Sequence, residues 1–198
     1  MLYLLIIIIC MIIIAGINIL CGGFGLEWHY IVIATILFTI LSVIVDGIVA
    51  LVIRRLPNKY FKGDNKFFDV SKKELRFYDK IGIKKWKDKV PELGGFTSFH
   101  KNKISDPHNN EYLNRFILEA NYGIVIHFVS IFTSFLIIFL DYQMFVDFSK
   151  PIGLTIGLPV AIVNAILIGL PTCILRYNLP RLKIIKKLND RNKKNESK

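Results

Sequence analysis

Lysine and arginine are missing from four long stretches of this chain of 198 residues: Leu2–Cys21, Tyr30–Ile53, Ile124–Leu140 and Ile152–Leu175. A soluble core does not collect its apolar residues into unbroken runs of this length. A run of about 18 or more residues, at a rise of 1.5 Å each, reads instead as a helix able to cross a hydrocarbon layer about 30 Å thick. Cysteine is also scarce. Cys10, Cys21 and Cys173 lie in or beside apolar runs, and there is no C-x-x-C pair, which excludes a disulfide framework and a zinc ribbon. The four histidines, His29, His100, His108 and His127, have no ligand-like spacing, so no metal is expected. No internal repeat is visible. The first run lacks the basic start of a secretory signal and exceeds the usual apolar length of about 7–15 residues, so it is expected to be retained as a span.

The basic residues present are distributed unevenly. Of 26 Lys and Arg, 16 lie in 54–121 and nine in 176–198, while the two other links between runs share only Lys150. Short loops rich in Lys and Arg stay in the cytoplasm. The net charge of +11 is therefore read as membrane orientation and not as nucleic-acid binding. The expected fold is all-α: an integral membrane protein with four transmembrane helices, a cytoplasmic middle segment with short helices, and an amphipathic C-terminal helix. Its parts are an N-terminal transmembrane hairpin (1–53), a cytoplasmic amphipathic segment (54–121), a second transmembrane hairpin (122–175) and a basic cytoplasmic tail (176–198). Four spans would put both termini in the cytoplasm of a multi-pass cell-membrane protein.

Local signals fill in this frame. Gly22, Gly23 and Gly25 provide the outer turn of the first hairpin, and Trp28 and Tyr30 suit the interfacial belt. Pro57 ends the second span. Ser71-Lys-Lys-Glu74 has the form of a capping box and predicts a helix from about Lys72, stopped at Gly82. Asp106-Pro107 predicts the restart of helix. Gly123 is expected to mark a bend or a close packing point. Asn18 and Asn164 suit interhelical hydrogen bonds. Beyond Pro180, Leu182, Ile185 and Leu188 alternate with lysines, predicting a surface-lying amphipathic helix, and the residues from Asp190 on are expected to be disordered.

Three ionisable residues break the apolar frame or stand at its edge. Asp46 lies eight residues before the Arg54-Arg55 pair, about 12 Å below the surface. Glu119 and His127 straddle the polar end of the third run, and ionisable groups at such depth are candidate functional residues. Eight helical residues separate them by about 12 Å and about 80°, too far for a direct dyad. Asp46 matches His127 in depth and is the expected partner that would orient it. Around the mouth, Arg176, Asn178 and Arg181 suit recognition of phosphate or carboxylate, with interfacial anchoring as the alternative. Trp86 and Lys87, in I-K-K-W-K-D-K, suit either an anionic lipid surface or the phosphates of an activated donor.

Several segments resemble one family. L-P-N-K-Y-F (56–61), K-K-W-K-D-K (84–89), G-G-F (94–96), Y-L-x-R-F-I-L-E (112–119), I-H-F-V-S (126–130) and L-P-T-C-I-L-R-Y-N-L-P-R-L (170–182) occur in the order seen in glycosyl-4,4'-diaponeurosporenoate acyltransferases. The chain departs from the family pattern at Tyr122 and Ile124, where a basic residue and a glutamate are usual. The resemblance implies a bacterial membrane enzyme that esterifies a fatty acyl group onto the sugar of a glycosylated carotenoid acid. His127 would be the general base, with Asp46 and Glu119 as the other catalytic candidates. Arg176, Asn178, Arg181, Trp86 and Lys87 would bind the donor. The partners would be membrane lipids, an acyl donor and a lipid acceptor. No cofactor is implied, because an acyl thioester is a substrate. A non-catalytic scaffold or accessory subunit is the alternative reading. Transport ranks below both, because no span carries a basic residue to line a path.

Overall fold

The computed structural model describes residues 2–22, 25–62, 65–90, 104–139 and 152–196. The family-like segment G-G-F (94–96), together with His100 and Lys150, lies outside them. Among the described residues every element is helical: α1 (Leu2–Leu20), α2 (Trp28–Arg54), α3 (Lys72–Lys80), α4 (Ile83–Trp86), α5 (Asn110–Thr133) and α6 (Leu158–Glu196). Short 3-10 turns follow α2, α4 and α5, and a π turn at Gly153–Gly157 leads into α6.

The number of candidate spans needs correction. Among the described residues three helical stretches, not four, are long and apolar enough to cross a membrane: Trp28–Arg54, Asn110–Phe139 and Gly153–Asn195. Within α1 the described apolar stretch is Leu4–Leu20, shorter than these three. In the three long stretches only 22–28% of the most apolar window is buried, so most of that apolar surface faces outward, as lipid contact requires.

The chain forms two compact units. The first comprises 1–51 and 128–169. Its core gathers Ile31, Ala34 and Phe38 of α2, Ile14 and Ala15 of α1, Ile137, and Ile156, Val160 and Ala161 around the start of α6. Small residues let these elements meet. A Cβ at Gly157 would lie 2.8 Å from the fully buried Phe38 ring, and one at Gly153 would overlap the Ile138 carbonyl. Asn18 donates to the Thr155 carbonyl at 3.1 Å, the interhelical role expected of it. Gly153→Ala should therefore cost about 1–3 kcal/mol and lower the thermal midpoint in detergent, because backbone and not a flexible side chain must move. Gly47→Ala, where a Cβ meets nothing within 4 Å, should leave that midpoint unchanged or raise it slightly.

The second unit comprises 52–127 and 170–198. Ser71 caps α3 by accepting from the Glu74 amide at 3.1 Å, and Gly82 stops the segment in the left-handed region at φ 65°. Both follow the sequence signals. Helix α5 starts at Asn110 instead of Asp106, because the Asn109 side chain accepts from the amides of Glu111 and Tyr112 at 2.9 and 3.1 Å. Gly123 is a packing point, since a Cβ there would meet Leu175 Cδ1 at 2.9 Å.

The largest local difference from expectation is α6, which continues through Pro171 and Pro180 to Glu196. An internal proline removes one helical hydrogen bond and normally breaks or kinks a helix. Around Pro180, Tyr177, Leu179 and Leu182 are all buried, so packing holds the turn helical. The residues from Asp190 to Glu196 are helical, not disordered. Two bonds tie this end to the start of α5: Asn110 donates to Asp190 at 2.6 Å, and Asn189 donates to the Pro107 carbonyl at 2.7 Å.

Candidate active site

Helix α5 carries the site. Glu111, Arg115, Glu119 and Tyr122 recur at helical spacing along one side of it, and all four line an open cavity of about 720 Å³. Arg54 at the end of α2, Asn58 and Lys62 from the segment after it, Asn114 of α5 and Lys186 of α6 complete the polar lining. Four cations and two carboxylates leave the wall net positive, which suits an anion-bearing ligand.

The segment L-P-N-K-Y-F is fixed against α5 by specific bonds. Asn121, fully buried, donates to the Phe61 carbonyl at 2.8 Å. The Tyr122 hydroxyl lies 2.9 Å from the Leu56 carbonyl and 2.8 Å from the Asn58 side-chain oxygen, one proton serving two acceptors. The Phe61 and Tyr122 rings stack with centroids 3.9 Å apart. Tyr122 thus anchors this segment beside the cavity. Glu119 accepts from Arg54 Nη1 at 3.1 Å, and that guanidinium also sits 5.8 Å from the centre of the Tyr122 ring. Glu119 is therefore held by Arg54.

His127 lies half-buried on the same continuous helix, eight residues beyond Glu119, so the rise of about 12 Å and rotation of about 80° between them hold. Among the described residues its imidazole has no hydrogen-bond partner. Asp46, in the first unit, accepts from Asn164 Nδ2 at 2.9 Å.

The five residues expected to bind a donor lie in the second unit, and none is part of the cavity lining. Arg176 makes a two-pronged pair with Glu74: Nη2 donates to Oε2 at 2.8 Å and Nε donates to Oε1. It also reaches the carbonyls of Phe67 and Asp69 at 3.5 and 3.4 Å. Glu74 further accepts from the Tyr78 hydroxyl at 2.6 Å. Trp86 gives its ring N–H to the Ile81 carbonyl at 3.1 Å and packs on the core of Tyr78, Ile83, Ile174 and Tyr177. Lys87 opens a 3-10 turn and is half-buried. Arg181 lies over the Tyr177 ring at 5.7 Å, and Asn178 is half-buried and engaged. Arg176 fastens α3 to α6, and Trp86 of α4 packs on the core they share. The sequence carried one signal for the cavity that was read otherwise: Arg115 and Asn58 lie within the family-like segments 112–119 and 56–61.

The Arg176 guanidinium holds the Glu74 carboxyl below the usual carboxylate range, outweighing the opposing effect of burial. Burial, followed by the bond to Glu74, pushes the Tyr78 hydroxyl up. A depressed carboxylate stabilises the fold fully above its unfolded value, and that contribution is lost as pH falls through the lower folded value. Arg176→Ala should therefore cost about 2–3 kcal/mol near neutral pH, because it leaves a half-buried carboxylate unpaired. The deficit against the wild type should shrink on acidification below about pH 4 in thermal melts.

The comparison with protein families decides the assignment. The glycosyl-4,4'-diaponeurosporenoate acyltransferase family matches residues 57–188, two-thirds of the chain. The chain belongs to this family. No curated protein and no solved structure matches it. In the terms of this acyltransferase family, the matched region holds Asn58, Arg115, Glu119, His127 and Lys186.

Proposed function

We propose that this member of the acyltransferase family transfers a fatty acyl group to a sugar hydroxyl of a glycosylated carotenoid acid, at the cytoplasmic face of the bacterial cell membrane. The observation that carries the reading is α5 itself. One helix brings Glu119 to a basic cavity and sets His127 about 12 Å further along, toward the apolar end. The cavity would take the anionic part of an acyl donor, such as the phosphates of an acyl thioester. The reacting carbonyl would lie deeper, with both acyl chain and carotenoid in lipid.

His127 would accept the proton of the sugar hydroxyl as its oxygen attacks the acyl carbonyl. The tetrahedral intermediate would then collapse, breaking the carbon–sulfur bond, and the departing thiolate would take the proton from the imidazolium. The products are a sugar ester and a free thiol, and the base is regenerated. Glu119 would hold Arg54 at the cavity wall and so organise the positive charge rather than exchange protons. The basic segments 54–121 and 176–198 support the cytoplasmic placement.

The test is to incubate membranes expressing the protein, and matched membranes without it, with radiolabelled acyl thioester and an extract containing the glycosylated carotenoid acid. Label entering an alkali-labile lipid only with the protein supports the reading. Equal label in both, over a broad acceptor set, would favour the scaffold alternative.

A further inference from the structure

Trp86 is the aromatic residue whose lysine neighbours suit an anionic lipid surface, yet its indole is turned inward. It gives its N–H to the Ile81 carbonyl at 3.1 Å and packs on the core of Tyr78, Ile83, Ile174 and Tyr177. Other aromatic groups of the second unit point outward. Phe67 and Phe77 are each 55% exposed, and Ile81 is 39% exposed. Phe77 and Ile81 stand one turn apart at the end of α3, where the Ile81 amide donates to the Phe77 carbonyl at 3.0 Å. A different face of α3 is committed to α6, through Glu74 on Arg176 and the Tyr78 ring against the Tyr177 ring.

Single exposed apolar side chains are ordinary on a protein surface. The level of these three is what matters. Leu175 ends the last apolar run and Arg176 is the first charge after it, so Arg176 stands where α6 leaves the hydrocarbon layer. Its guanidinium holds the Glu74 carboxylate and reaches the Phe67 carbonyl at 3.5 Å. Phe77 follows Glu74 by three residues, about 4.5 Å of helix rise. Both phenylalanines are therefore tied to the residue that marks the membrane boundary.

Charge favours the same partner. The stretch 65–81 carries five cations, Lys66, Lys72, Lys73, Arg76 and Lys80, against three carboxylates. Each carboxylate is paired with a cation from outside the stretch: Asp69 with Lys183 at 2.8 Å, Asp79 with Lys84 at 3.1 Å, and Glu74 with Arg176. All five cations of the stretch itself are exposed. Lys73 and Lys80 flank Phe77 at helical spacings of four and three residues. Apolar side chains within a basic surround, at the level of the headgroups, are what an in-plane membrane helix presents. We propose that Phe67, Phe77 and Ile81 enter the interface of an anionic lipid bilayer, with the five cations on its headgroups. Helix α3 then lies along the membrane surface beside the exit of α6, one face on lipid and another on Arg176 and Tyr177. An acidic soluble protein could meet the cations, but nothing would hold it at this level.

The experiment uses the full chain reconstituted into vesicles of phosphatidylcholine, with and without phosphatidylglycerol. Phe77→Trp supplies the probe, and the wild-type signal of Trp28 and Trp86 is subtracted. With phosphatidylglycerol the added indole should lie about 5–10 Å into the boundary between headgroups and acyl chains, quenched by brominated chains and shielded from acrylamide. Ile81→Trp, one turn on, should behave alike and takes over if Phe77→Trp fails to fold. Lys73→Glu/Lys80→Glu in the probe protein should weaken quenching by brominated chains at least about twofold, and so should omitting phosphatidylglycerol. An indole that acrylamide reaches and brominated chains do not overturns the proposal, because the face is then in water. So does an indole that neither quencher reaches, which would mean that protein covers it. Quenching that ignores both phosphatidylglycerol and the charge reversals also overturns it.

Discussion

His127→Ala should lower kcat for acyl transfer by about 100- to 10,000-fold, the range supplied by a positioned general base. The KM for donor and acceptor should stay within a few-fold, because in the proposed reaction the imidazole would meet the sugar hydroxyl only at the reacting centre and take little part in holding either substrate. His127→Gln, which keeps much of the size and polarity, should be nearly as inactive, because an amide cannot take the proton. Both proteins should melt close to the wild type, since His127 has no hydrogen-bond partner among the described residues. Loss of activity together with collapse of the fold would point to packing. Retention of activity within tenfold in either variant would remove His127 from the base position.

The second large effect should come from reversing charge in the cavity. Lys62 and Lys186 line it from different parts of the second unit, and neither belongs to the bonds that fix L-P-N-K-Y-F to α5. Each reversal replaces an attraction to the donor's anionic group by a repulsion, worth about 1.4 kcal/mol or about tenfold in affinity. Lys62→Glu/Lys186→Glu should therefore raise the KM for an anionic acyl donor about 100-fold at low salt, with kcat changed only a few-fold. Raising the ionic strength shortens the screening length from about 10 Å at 0.1 M to about 3 Å at 1 M and should narrow the gap between the double variant and the wild type. A double variant with unchanged KM would place the donor elsewhere. The same substitutions at Lys84 and Lys85, beside Trp86 and outside the cavity lining, should leave KM near the wild-type value.

Much of the fold was legible because its signals are local. The capping box at Ser71 and Glu74, the stop at Gly82 and the spacing of Glu119 and His127 on one helix depend on residues close in sequence. Asn18 and Asn164 were legible because a polar amide among apolar residues has few places to go. What was not legible is non-local. Glu74 and Arg176 are 102 residues apart, and no pattern in either segment announces their pairing, so Arg176 looked available for a ligand. Arg54 and Glu119, 65 apart, were missed for the same reason. Asp46 and Asn164 are 118 residues apart, and depth alone did not reveal their bond. At Pro180 a sound local rule for ending a helix was overridden by the burial of Leu179 and Leu182. At α1 the error was one of length, since apolar composition was read as a span where the described apolar stretch has 17 residues.

The central claim is that this chain itself makes an ester on a sugar. A single-turnover reaction tests it most directly. Purified protein in vesicles, in excess over a glycosylated carotenoid acid, receives an acyl thioester, and both products are followed by mass spectrometry. The expected result is one acyl group on a sugar hydroxyl for each thiol released, at a rate far above that of vesicles lacking protein and lost in His127→Ala. An acceptor of unchanged mass, with thiol released no faster than in empty vesicles, would contradict it.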